Sequence, residues 1–224
     1  MNYTAQPSLF DDWETSTGAL ELFPAVWSAA QGLAHPDLKV RQAALDKLVE
    51  MGAPRLSPLV AYLVATRLLD SSLEIRQRVV NILGDLLVLD PEGRETDRVV
   101  RQYVTAYLSQ MRTRNVYSLL QVAAQVEGLD GAVALILNAC AYAGEHLSDI
   151  FNDRKIPLSI RKKAVQLAGE VGYLDVIPDL ERLQGRLASR LEGQQSMAFA
   201  PPAAEDEMEL LPLVNQALDL LKKL

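Results

Sequence analysis

The chain reads as an all-α protein built from about five helical hairpins. Three observations predict this. Gly and Pro turn signals cut its 224 residues at regular intervals: HPD (35–37), MGAP (51–54), LDPEG (89–93), EGLDG (127–131), KIPL (155–158) and VGYLD (171–175). Between the turns, apolar residues recur at spacings of three and four, the period of a helix with one buried face. No run of period-two alternation is long enough for a strand.

The hairpins follow in order. The second helices align at Val40 (VRQAALDKL), Ile75 (IRQRVVNIL), Val116 (VYSLLQVAA), Ile160 (IRKKAVQLA) and Leu210 (LLPLVNQAL), at offsets of 35, 41, 44 and 50 residues. Each is preceded by another apolar-periodic segment: 20–34, 55–69, 97–111, 129–147 and 175–191. In the first aligned helix Val40, Ala44 and Leu48 share a face, joined by Ala43. In the second, Ile75, Val79, Ile82 and Leu83 do so. Asp37 suits a cap or a first-turn acid, and Ser71 to Glu74 reads as a capping box. In the fifth hairpin a long connection, EGQQSMAFAPPAAEDE, spans about 192–207. Connections of that length are usually functional or disordered. Its acids Glu205, Asp206 and Glu207 suit the N-terminus of the helix that follows. Residues 1–17 form a flexible acidic and aromatic tail, leaving 18–224 as one domain.

Composition narrows the classes. At 49% hydrophobic and 23% charged, the chain has globular composition. The single Cys140 supports neither an internal disulfide nor a thiolate zinc site, and reads as a small buried apolar residue. The start lacks the basic and apolar regions of a signal peptide. No stretch approaches the roughly 20 apolar residues of a membrane span. A cytoplasmic location without membrane contact is expected. The net charge of −7 sits at the ends: residues 1–22 and 191–224 each carry −4, so the body is close to neutral. Within it, 98–126 holds four arginines and no acid, and 151–190 holds eight bases against five acids.

These units resemble HEAT repeats. The mean spacing falls in the roughly 40–47-residue range of that family. Asp37, Val40-Arg41 and Ala44 match its turn acid, apolar-Arg pair and small residue. Ile75-Arg76 and Ile160-Arg161 match the pair, and AGEVGYLDVIPDLERL (168–183) resembles its junction. Tyr117 and Leu211 stand where Arg is expected, and Pro212 lies in the first turn of the last helix. The resemblance covers about 20–224. It implies a right-handed α-solenoid whose second helices line a concave face, with polar terminal units. It says little about function, because folds host many functions.

Candidate functional residues follow from that frame. Facing outward on the second helices are Gln42, Asp46, Gln77, Asn81, Ser118, Gln121, Lys162 and Gln166, an amide-rich wall suited to holding a protein segment. The bland alternative is a solvated face. Arg98, Arg101, Arg112 and Arg114 could form a phosphate-contacting strip or a solvated helix face. Arg41, Arg76 and Arg161 read as arginines that bond turn acids and carbonyls between units, with an anion-binding ladder as the sharper reading. His35 and His146 read as turn or surface residues. No GxSxG, P-loop, GxGxxG or HExxH is present, so no catalytic residue, cofactor or metal is expected. In the tail, Gln6, Ser8, Leu9 and Phe10 resemble the bacterial pentapeptide that docks on the DNA sliding clamp, with Pro7 where Leu is frequent. The alternative is that Leu9, Phe10 and Trp13 cap the first hairpin. The expected function is a non-catalytic scaffold or adaptor for a protein partner. The alternative is a DNA-associated accessory protein acting through the arginines or the tail.

Overall fold

The computed structural model describes residues 24–88, 96–196 and 205–223, and every regular element among them is a helix. The tail motif Gln6, Ser8, Leu9 and Phe10 lies outside these residues. No helix among the described residues is long and apolar enough to cross a membrane. The chain divides into two compact units, Met1–Tyr107 and Leu108–Leu224.

The first unit contains α1 (Pro24–Gly32), α2 (Leu38–Glu50), the short α3 (Ala53–Leu56), α4 (Pro58–Ala65) with a 3-10 turn at Thr66–Leu69, α5 (Leu73–Leu87) and α6 (Arg98–Leu108). Its core contains Leu45, Leu48, Leu68, Ile75, Leu83 and Leu86, all fully buried. Each such side chain stabilises the unit by about 1.5–3 kcal/mol. Caps fix the helix starts. Asp37 accepts from the Lys39 amide at 2.8 Å, and Ser57 accepts from Val60 at 3.2 Å. The expected Ser71–Glu74 box is displaced by one residue. Ser72 is the cap of α5 and accepts from the Ile75 amide. Ser71 and Glu74 instead bond side chains of α2: Arg41 reaches Ser71 Oγ at 3.4 Å, and Gln42 donates to Glu74 at 2.6 Å.

The buried stripe of α2 also differs from expectation. It runs through Arg41, Ala44, Leu45 and Leu48, while Val40 is exposed and so is Ala43. In α5 the buried stripe includes Ile75, Val79, Val80 and Leu83, with Ile82 half-buried. Buried arginine is rare unless paired. The expected face, drawn through Val40, Ala44 and Leu48, is therefore rotated by one residue toward Arg41 and Leu45.

The second unit contains α7 (Thr113–Gln125), α8 (Asp130–Asn138), α9 (Ala143–Asn152), α10 (Leu158–Val171), a 3-10 turn at Leu174–Val176, α11 (Ile177–Ser196), α12 (Glu205–Met208) and α13 (Leu210–Leu221). Its core includes Phe151, Leu119, Leu120, Ile136, Leu137, Leu180 and Leu183. The segment 129–147, expected as one helical stretch, is broken at Ala139–Tyr142, where Tyr142 adopts φ 60°. Buried residues at 133, 137, 140, 144, 147 and 151 keep helix phase across the break, so periodicity alone does not register it. The 192–207 connection is helical at both ends, through Ser196 and from Glu205, and its middle lies outside the described residues. α10 crosses α13 so closely that a Cβ on Gly169 would meet Ala217 Cα at 2.7 Å.

Candidate binding sites

In the first unit, two of the side chains expected to face a partner are held by residues of α5 instead. Gln42 is half-buried and held by Glu74 of α5, and Asp46 forms an ion pair with Arg78, also on α5. The two contacts are one helical turn apart and tie α2 laterally to α5. Gln77 is half-buried and Asn81 exposed. In the second unit Lys162 pairs with Glu209, and Gln166 donates to Glu170 on its own helix at 2.8 Å. Gln121 is half-buried. Ser118, expected to face outward, is buried at 5% exposure. It lies on the stripe of α7 with Leu119 and Val122. The missing Arg at Tyr117 had left the register of this helix without an anchor.

The four arginines expected as a strip fall in different units. Arg98 is exposed at the start of α6, and Arg101 is half-buried with its guanidinium on the Thr96 carbonyl at 3.4 Å. Arg112 and Arg114 are exposed at the start of α7. His35 accepts from the Asp37 amide at 3.0 Å. His146 is half-buried, with Nδ1 3.0 Å from the Thr113 hydroxyl and Nε2 3.2 Å from the Met111 carbonyl. Nε2 therefore carries the proton that Met111 accepts.

Arg41 and Arg161 each bond a backbone carbonyl and a nonlocal acid. Arg41 meets Asp70 through Nε and Nη2, each at 2.9 Å, and donates Nη1 to the carbonyls of His35 and Pro36. Arg161, 4% exposed, donates Nε to the Phe151 carbonyl at 2.9 Å. Its Nη2 lies 3.1 Å from Glu207 Oε1. Arg76 is half-buried, and its Nε has no partner among the described residues.

Two features of the second unit were not singled out in the sequence. The first is an acidic groove. An open cavity of about 600 Å³ is bordered by Glu145, Asp149 and Asp153 from α9 and its C-terminal end, and by Asp175 and Asp179 across from them. Among the described residues no basic side chain lines the cavity itself, and Arg182, one turn on from Asp179, pairs with that acid. Ser148 donates to Asp179 at 2.7 Å. Asp175 approaches the first turn of α9 because residue 144 is glycine: a Cβ there would lie 2.3 Å from its carboxylate. The helix N-terminus favours that negative charge. Among the described residues no three His, Cys, Asp or Glu side chains converge on a point that could hold a metal ion. The carboxylates therefore form a surface, not a cage. The four-residue spacing of 145, 149 and 153 was the available signal.

The second feature is an arginine cluster around one acid. The Glu207 carboxylate, 11% exposed, contacts Arg161, Arg154 Nε at 3.4 Å, Arg186 Nη2 at 4.0 Å, and Arg190. Burial alone would raise its pKa. The hydrogen bond from Arg161 and the charges of Arg154, Arg190 and Arg161 outweigh burial and hold it below the usual carboxylate value. The Arg186 pKa is lowered as well, first by burial and then by repulsion from Arg154, against the pull of Glu207. The eight bases within 151–190 were its trace in the sequence. They did not show which of those bases converge.

Cys140 is buried at the α8–α9 break, and burial pushes its thiol up to about 11. The Tyr173 hydroxyl is buried without a partner among the described residues. Burial first, then Cys140 and Asp175, raise its pKa above the ordinary tyrosine value. No family model, curated protein or solved structure matches this chain.

Proposed function

We propose that the chain is a non-catalytic adaptor, a right-handed α-solenoid of HEAT-like hairpins that holds a protein segment. The acidic groove of the second unit carries this reading. Five carboxylates spread along an open cavity, of which Asp179 alone has a basic partner among the described residues, suit a Lys/Arg-rich segment, which can place several cations in register. The second-helix side chains Gln42, Asp46, Lys162 and Gln166 are committed to contacts within their own units. That turns the emphasis from the expected polar wall to the groove.

The test is calorimetric titration with a lysine-rich peptide of about twelve residues. Binding that weakens between ~10 and ~150 mM salt, and is lost in the Glu145→Gln/Asp149→Asn double variant, supports the reading. No binding, or binding indifferent to the double variant, overturns it. The second reading is a DNA-associated accessory protein. It rests on the exposure of Arg98, Arg112 and Arg114 and on the clamp-like Gln6, Ser8, Leu9 and Phe10. Duplex binding with a steep salt slope, or capture of the sliding clamp that vanishes without residues 1–17, would support it instead.

A further inference from the structure

Four guanidinium groups converge on one carboxylate in the second unit. Arg154 lies just past α9, Arg161 on α10, and Arg186 and Arg190 one turn apart on α11. They surround Glu207 of α12. Taken together these side chains carry four positive charges and one negative. A carboxylate offers two oxygens and a single charge, which cannot saturate four five-donor forks. The deficit is visible at Arg186. Its Nη2 stands 4.0 Å from Glu207 Oε1, beyond hydrogen-bond reach. Both Nε and Nη2 are buried with no hydrogen-bond partner among the described residues.

We propose that Arg154, Arg161, Arg186 and Arg190 form a phosphoryl-binding site in which Glu207 is the resident competitor. A phosphoryl dianion brings a second charge and three strong acceptor oxygens. It can therefore reach the donors of Arg186 that the carboxylate leaves unused, and arginine forks match its geometry. Taking the dianion displaces or shifts Glu207, so anion binding and the seating of α12 are coupled. The first unit supplies an internal control: its buried Arg41 faces a single aspartate that uses both oxygens, with no further cation in the contact among the described residues.

The experiment uses the full chain and follows thermal unfolding against inorganic phosphate and pyrophosphate, with sodium chloride matched for ionic strength. The wild type is expected to gain stability with phosphate beyond the chloride control. Glu207→Gln removes the competitor and is expected to bind phosphate about tenfold more tightly, equivalent to about 1.4 kcal/mol. Arg186→Gln removes donors that make no hydrogen bond in the resting state. It is expected to fold with unchanged or raised Tm and to lose the phosphate-specific gain. If Glu207→Gln folds only with phosphate and not with chloride, that rescue supports the proposal. If the wild type responds to phosphate as it does to chloride, or Arg186→Gln keeps the full phosphate gain, the cluster is a structural ion-pair network and the proposal falls. A phosphoserine peptide that outcompetes pyrophosphate assigns the phosphoryl group to a modified protein; the reverse order assigns it to a small phosphate.

Discussion

The two units use the same buried arginine differently. In the first, Arg41 joins the turn before its own helix to the acid that precedes the next one. Its Nε and Nη2 take the two oxygens of Asp70, Nη1 takes two carbonyls, and Ser71 receives the remaining contact. One cation meets one anion, and each nitrogen lies within 3.0 Å of an oxygen, the Nε contact being an ion pair without hydrogen-bond geometry. In the second, Arg161 again binds a carbonyl of the preceding turn and an acid near the next helix start. There, three further arginines crowd the same acid. The residue and its structural task are alike, but the surrounding charge is not. A closed contact of this kind holds a fold together. One with surplus cations can also answer to a ligand.

Removing each arginine breaks the comparison most directly. Arg41→Met strands Asp70, whose side chain is 4% exposed, and is expected to cost about 3–5 kcal/mol in urea unfolding. Arg161→Met leaves Glu207 with three other arginines and is expected to cost only about 1–3 kcal/mol. Equal losses would mean that the surplus cations do nothing for the acid.

Glu207→Gln sharpens the electrostatic half, at about 1.5–3 kcal/mol near neutral pH. The sign follows from the depressed pKa of Glu207. Its contribution is fully present above the ordinary glutamate value of about 4.3 and is lost as pH falls through the lower folded value. The wild-type advantage over the variant should therefore shrink below about pH 4.3, measured by denaturant unfolding at stepped pH. An advantage that grows on acidification would contradict the assignment.

Helix crossings give the next contrast. Gly169→Ala drives a methyl onto the backbone of Ala217, whereas Gly32→Ala meets only the Ala44 methyl, at 2.8 Å. The first should cost about 1–3 kcal/mol and the second less, read from paired denaturation curves. The smallest effect is at the α5 cap. Ser72→Ala should lose about 1 kcal/mol and Ser71→Ala a few tenths, since Ser72 alone bonds the Ile75 amide. The reverse order would restore the cap to Ser71.

The helices were legible because their signals are local. Turn residues and three-to-four spacing placed each second helix within about three residues of its start. Asp37 was readable as a cap because a cap acts on its own turn. What escaped is nonlocal. The face of α2 depended on Asp70, 29 positions away, paying for the burial of Arg41. The break at Ala139–Tyr142 was invisible because the apolar phase runs through it. The arginine cluster draws on positions from 154 to 190, and its acid on position 207. No spacing rule links them. Composition recorded that bases accumulate in 151–190 but not that they meet.

The buried thiol at the α8–α9 break turns that irregularity into a built-in reporter. With its pKa at about 11, Cys140 presents on the order of one thiolate in ten thousand at neutral pH. Its sulfur is screened from solvent. A thiol reagent must therefore wait for the turn to open, so the labelling rate measures the equilibrium of that opening apart from global unfolding. Because the chain has one cysteine, the signal needs no engineered probe. It would show whether the second unit breathes at this turn when ligands bind elsewhere in it.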